Sequence, residues 1–495
     1  MKYLFLSPPA TGEMQPTLAV AEALLSEDPT STIYIGSGSS FQSRYETLIS
    51  TISSDLEDRL FRIDLGGTDD VEDYSHNMLK KNKNKNPELF QSHRHERGNP
   101  IPFFNYWAAF AAGSQSQRIA TIQRTLKIIN RLKPDMIVVD QIYGTPFDAV
   151  RYSRLPFIML APGHPSFAAD VNPIFEPLSM SGIEWRGSLS NIISNVKMIY
   201  KLVTWIAGSQ WAWTTLKLRR RILGFPWLSL GADSTITPPP ARLPQVCAAI
   251  MCNVENLNFY NTSWPPKCHF VGPCFRPSLQ AQEFKDVALM EWLDSASEER
   301  EDVVFISFGS MFPFNQADYS SMINALEKVH EVRSNLRVLW KVVTCDDVKK
   351  LDLPFLRQVE WLESVAEVCS HSAVKVVIHH GGGNTVNEVI HHGLKHLVIP
   401  QWSDTYDWGA TISSFGLGEQ VDNSGPHLET QEIASKLLKL LENPDDYKDN
   451  IAYWQRRSRE SKGSKGAARI VHQAALEQAS QYADVYTSNR SFTIA

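Results

Sequence analysis

A rhythm that occurs twice constrains this chain more than any other feature. In the first half, short apolar runs, KYLFLS (2–7), TIYIG (32–36), MIVVD (136–140) and FIMLA (157–161), alternate with helical patterns, the first at Pro16 to Leu25. In the second half, VVFISFGS (303–310), RVLWKVV (337–343), VKVVIHH (374–380) and HLVIP (396–400) repeat the alternation. Parallel strands need long crossover connections, so this pattern reads as α/β, with two sheets rather than one. Between the halves the chain turns proline-rich, with TPPPARLP (237–244), WPPK (264–267) and FVGPCFRPSL (270–279). The expected division is 1–273, a linker at 274–296, 297–465, and a helical tail at 466–495. A chain of 495 residues that is 43% hydrophobic can support two cores of this kind.

Composition removes several classes of function. A formal net charge of −6 argues against a nucleic-acid binder that relies on phosphate neutralisation. Six irregularly spaced cysteines form neither a disulfide framework nor a zinc pattern, which points to a reducing, cytoplasmic setting. The start, MKYLFLSPPATG, enters a strand at once and leaves no room for a secretory leader. No window reads as a membrane span; the nearest, Asn191 to Trp213, carries Lys197 and Lys201. Asn261 and Asn489 lie in chance Asn-x-Ser matches.

Two segments break the rhythm. Residues 80–100, KKNKNKNPELFQSHRHERGNP, read as a long polar loop. Ile192, Ile193, Val196, Ile199, Tyr200 and Val203 recur at helical spacing, with tryptophans nearby. That stripe reads as core packing or as the apolar wall of a small-molecule pocket. The following KLRRR (217–221) reads as a solvated face, with membrane-surface contact as the second option.

The densest chemical signal is HHGGGNT, directly after the strand VKVVI and directly before a helix. Free amides and the dipole at a helix N-terminus favour an anion, and glycines let a diphosphate approach the backbone. Gly309 and Ser310, ending the strand VVFISFGS, would border the same crevice. The pattern is neither GxGxxG nor a Walker loop, which argues against an oxidoreductase or an NTPase.

The block from Trp361 to Gly409, WLESVAEVCSHSAVKVVIHHGGGNTVNEVIHHGLKHLVIPQWSDTYDWG, resembles the donor-binding signature of UDP-sugar-dependent glycosyltransferases, closest to fungal and sterol-type members. The resemblance implies a GT-B fold, two Rossmann-like domains with parallel sheets facing across a cleft. It implies that Trp361 stacks on uracil and that Glu388 accepts from the ribose hydroxyls. His380, Asn384, Thr385 and Ser310 would hold the diphosphate, with Gly382 in the turn and Asp404 and Thr405 beside the sugar. The UDP-sugar is then a co-substrate, with glucose the default, and neither a cofactor nor a metal is required.

Inverting transfer needs a base for the acceptor hydroxyl. The family places a histidine in the first loop, oriented by an aspartate; here ATGEMQP puts Glu13 at the first position and VVDQ puts Asp140 at the second. Three readings stay open. Glu13 is itself the base, with its pKa raised by Asp140; or His164 in APGHPSF supplies the imidazole; or the acceptor is acidic enough to need little help. The expected acceptor is a hydrophobic small molecule or lipid, walled by residues 180–227 with Trp185, Trp205, Trp211, Trp213 and Trp227. The competing functions are a nucleotide-sugar-binding protein without transfer activity and a sugar-nucleotide epimerase of the same fold.

Overall fold

A computed structural model describes residues 1–66 except 40, 43–44, 47–51 and 53; 97–169 except 103 and 105–114; 176–225 except 184–187; 243–280 except 259–263 and 266; and 286–487 except 310–311, 346–347, 363 and 423–426. Ser310, Trp185, Trp227 and most of the 80–100 segment therefore lie outside the described residues.

The first sheet has seven strands: β1 (Lys2–Leu6), β2 (Thr32–Ser37), β3 (Leu60–Asp64), β4 (Met136–Asp140), β5 (Phe157–Ala161), β6 (Val246–Met251) and β7 (Cys268–Phe270). They lie in the order β3-β2-β1-β4-β5-β6-β7, with every pairing parallel. The second sheet orders β8 (Asp302–Ser307), β9 (Leu336–Lys341), β10 (Leu356–Val359), β11 (Val374–His379), β12 (Lys395–Val398) and β13 (Gly418–Gln420) as β10-β9-β8-β11-β12-β13, again all parallel. Both strand orders reverse beside the first strand of their sheet. The reversal opens a crevice at the carboxyl ends of β1 and β4 in one sheet and of β8 and β11 in the other. Strands β4 and β5 are buried throughout and β8 from Val303 onward, as strands covered by helices on both faces must be.

Helix α1 (Thr11–Glu27) follows β1 and begins five residues before the expected start at Pro16, which lies inside it. Proline has no N–H for the carbonyl of residue 12, one turn back. That carbonyl instead accepts from Asn384 Nδ2 at 3.0 Å, a residue of the other half of the chain. The final helix, α2 (Gly463–Thr487), lies along α1: Ala467, Val471 and Ala475 are buried in the N-terminal core. Tyr482 Oη donates to the Pro156 carbonyl and accepts from Ile137 N–H. The helical tail is thus built into the core of the first half. None of the six cysteines forms a disulfide. Among the described residues no helix is long and apolar enough to cross a membrane.

Candidate active site

β11 ends at His379, and helix α3 (Gly383–His392) begins four residues on. Gly381 has φ +92°, and a Cβ there would sit 2.8 Å from the Thr405 carbonyl oxygen. A Cβ on Gly382 would meet the His380 ring at 2.7 Å. The glycines therefore make room for His380 and for the 401–405 loop as well as for a ligand. Below the turn, fully buried His379 accepts the Gly381 N–H on Nδ1, so its Nε2–H donates to His396 Nδ1 at 3.0 Å. This pair braces the turn, so His396 has a structural role. The His380 ring stands over the crevice beside Phe308 and Trp402, with Nδ1 buried and unpartnered. Burial, and secondarily Lys341, push its pKa down to about 4, so the ring is neutral at pH 7 and carries one N–H donor.

Trp361 projects after β10 and is 72% exposed, an open indole face. The Lys341 ammonium, from the end of β9, sits 5.0 Å from its ring centroid. Glu388, on α3, faces the same lysine; burial pushes its pKa up to about 7 and Lys341 opposes that rise. Trp361, Glu388 and His380 thus share Lys341 as a neighbour and form one side of the crevice. Sequence reading missed Lys341; the available signal was a single lysine closing the apolar run RVLW.

The opposite wall is acidic. Glu13, in the first turn of α1, meets Asp140 at the end of β4, and the contact is a hydrogen bond only if one carboxyl keeps a proton. Burial first, and Asp140 second, push the Glu13 pKa well up; burial raises Asp140 to about 7. Asp140 Oδ1 accepts the Ile142 N–H at 2.9 Å, which holds the carboxyl in place. Asp404, from the donor half, adds a third carboxyl that burial raises to about 6; its Oδ2 accepts the His164 N–H at 3.0 Å.

Two expected site residues are consumed elsewhere. His164 is fully buried: Nδ1 accepts the Ser166 N–H, so Nε2 donates to Thr411 Oγ1 at 3.0 Å, and burial lowers its pKa to about 3. An imidazole held at both nitrogens, and neutral, is a strut between the domains, which corrects its reading as the base. The Thr405 hydroxyl accepts the Gln401 and Trp402 N–H groups and donates to the Trp402 carbonyl, closing its own turn instead of facing a sugar. Asn384 is engaged with Gly12, and Thr385 opens the first turn of α3 nearby. Asp407, three residues after Asp404, went unassigned in the sequence. Its buried carboxylate accepts from Met180 N–H (2.7 Å), Gly182 N–H (2.9 Å) and Ser166 Oγ (3.0 Å), tying the 164–182 segment to the donor half.

Two doubly wound parallel sheets, with the N-terminus of α3 on one half set against a carboxyl pair on the other, make the architecture of the GT-B fold. The "Glycotransferase of kitacinnamycin" shares the fold, with a TM-score of 0.61 at 13% identity over 95% of this chain and 98% of that one. Residues 259–459 match the family described as "UDP-glucoronosyl and UDP-glucosyl transferase". Over 96% of its length the chain is 24% identical to "Erythritol-mannosyl-transferase 1" of Pseudozyma antarctica (strain T-34), covering 91% of that protein. It is 23% identical to the protein of the same name from Mycosarcoma maydis, with 96% and 92% covered. Over residues 259–459 the chain is therefore similar to enzymes of the UDP-glycosyltransferase family, and over nearly its whole length to two named sugar transferases.

Proposed function

We propose that the protein is an inverting glycosyltransferase that moves a hexose from a nucleoside-diphosphate sugar, UDP-linked in the first instance, to one hydroxyl of a small polyol. The observation that carries this reading is the buried Glu13–Asp140 pair facing the His380 turn across the crevice. In the proposed reaction the carboxylate of the pair takes the acceptor proton as the acceptor oxygen attacks the anomeric carbon. The bond to the diphosphate breaks on the far side, and the leaving charge falls on the α3 N-terminus and the His380 N–H. Trp361 and Glu388 hold the nucleoside, and Asp404 faces the sugar hydroxyls.

The acceptor class rests on two supports. Two relatives that align over nearly the whole chain are named for mannosyl transfer to erythritol. Near the pair, Glu13 Oε2, Asp140 Oδ2 and Gln141 Nε2 are buried without other partners, a lining suited to several hydroxyls at once. The hydrophobic acceptor has less support, because the inner face of the 189–208 helix is taken up by a closed apolar cluster with Phe104, Leu178 and Met180.

The test is nucleotide release from UDP- and GDP-linked glucose and mannose, assayed against erythritol, longer polyols and hydrophobic alcohols. Release that depends on a polyol is the expected result. Release with hydrophobic alcohols alone would restore the apolar acceptor. Nucleotide binding without release under any pairing would mean a binding protein rather than a transferase.

A further inference from the structure

Helix α4 (Leu189–Gly208) has two apolar faces, and among the described residues only one of them packs against the rest of the protein. Met198 and Leu202 are buried against Phe104, Leu178 and Met180, and Asn195 Nδ2 donates to the Glu176 carbonyl at 2.6 Å. On the opposite side Leu189, Ile193, Val196, Tyr200 and Val203 follow one another at spacings of four and three, which places them in a single stripe along the helix. All five are exposed, Leu189 by 71% and Tyr200 by 70%. Ala207 extends the line, and its carbonyl accepts from the indole N–H of half-exposed Trp213.

Charge identifies what this stripe meets. From Leu189 to Phe225 the chain has six basic residues and no acidic one, within a protein whose net charge is −6. Arg219 is turned inward and paired with Asp148 at 2.7 Å. The other five, Lys197, Lys201, Lys217, Arg220 and Arg221, are exposed. Lys197 and Lys201 directly follow Val196 and Tyr200, so they border the stripe, where their methylene stems can lie along apolar surface while the ammonium groups reach charged headgroups. A second copy of the chain would press like charges together, since a two-fold contact sets the same patch against itself. An apolar centre rimmed by cations fits an anionic bilayer surface.

We propose that the outer face of α4, with the basic residues at 217–221, docks the protein on an anionic lipid surface. The helix lies in the interface plane, with the stripe at the acyl boundary. The segment that α4 packs on is held by Asp407, so docking would set the mouth of the crevice beside the membrane.

The experiment is co-sedimentation of the full chain with phosphatidylcholine vesicles with and without phosphatidylserine. The variants are Lys197→Gln, Lys201→Gln and the pair Val196→Asp with Tyr200→Asp, each checked for folding by circular dichroism and thermal unfolding. The expected result is salt-sensitive binding to phosphatidylserine vesicles that falls about fivefold for each lysine removed and is lost in the aspartate pair. If the aspartate pair does not fold, the two surface lysine variants still decide the question. Absence of binding to anionic vesicles, equal binding to neutral ones, or binding unchanged in the lysine variants would overturn the proposal. So would a vesicle-free dimer that dissociates in the aspartate pair.

Discussion

At Glu13 and Asp140 two acids stand where the family resemblance leads one to expect a histidine and its aspartate. Two buried carboxylates this close cannot both ionise near neutrality, so they hold one proton between them and titrate as a pair. The base is the form that has lost a proton. The acceptor kcat/KM is therefore expected to rise with pH through about 7, the raised value of Asp140. In Glu13→Leu the hydrogen bond by which Glu13 lowers Asp140 is gone, and the limb of the remaining activity moves to higher pH; a pH–rate profile with an unmoved limb would remove the pair from the mechanism. Glu388 gives a second prediction of the same sign. Its carboxyl titrates near 7, and the ionised form is the better acceptor for a ribose diol. Nucleotide affinity is expected to strengthen as pH rises through that value and to become flat in Glu388→Gln, measured by calorimetry. Both carboxyls were legible as single letters, because each sits at a fixed offset within a recognisable block. The raised pKa of Glu13 was only half legible, since sequence gives its neighbour Asp140 but not the burial that is the larger cause; that of Glu388 was not legible, because burial alone raises it and Lys341 opposes the rise.

At the scale of elements, Pro16 shows why the boundary of α1 was misplaced. Proline is a good first residue of a helix, and reading it so is sound on local grounds. What permits the helix to start earlier is the Asn384 amide on the Gly12 carbonyl, from 372 residues away. Strands β6 (VCAAIM) and β13 (GEQ) escaped for a related reason: their letters have little strand preference, and flanking strands define them. The Asp407 contacts were equally hidden, since nothing in DTYDWG names the Met180 and Gly182 amides as its partners. Asp407→Ala leaves those two buried N–H groups without an acceptor, and the expected loss of folding stability is about 3 kcal/mol. Denaturant unfolding checks it, and a change under 0.5 kcal/mol, about the scatter of ordinary surface substitutions, would mean the amides find other partners.

Across the whole molecule, the repeated strand–helix rhythm was enough to foresee two parallel sheets, because buried parallel strands are continuous apolar runs. The assembly of the halves was not foreseen: α2 crosses back onto α1, His164 bridges to Thr411, and Asn384 reaches Gly12. These contacts set the Glu13–Asp140 pair of one half across from Trp361, Glu388 and His380 of the other, and the proposed division of labour between transfer and nucleotide binding rests on that placement. It is tested most directly by measuring nucleotide affinity and single-turnover transfer together in wild type, Glu13→Gln and Glu388→Ala. Glu13→Gln is expected to bind nucleotide like wild type and to transfer about a hundredfold or more slowly, whereas Glu388→Ala binds at least about tenfold more weakly and regains most of its rate at saturating donor. Equal loss of both properties in both variants would contradict it.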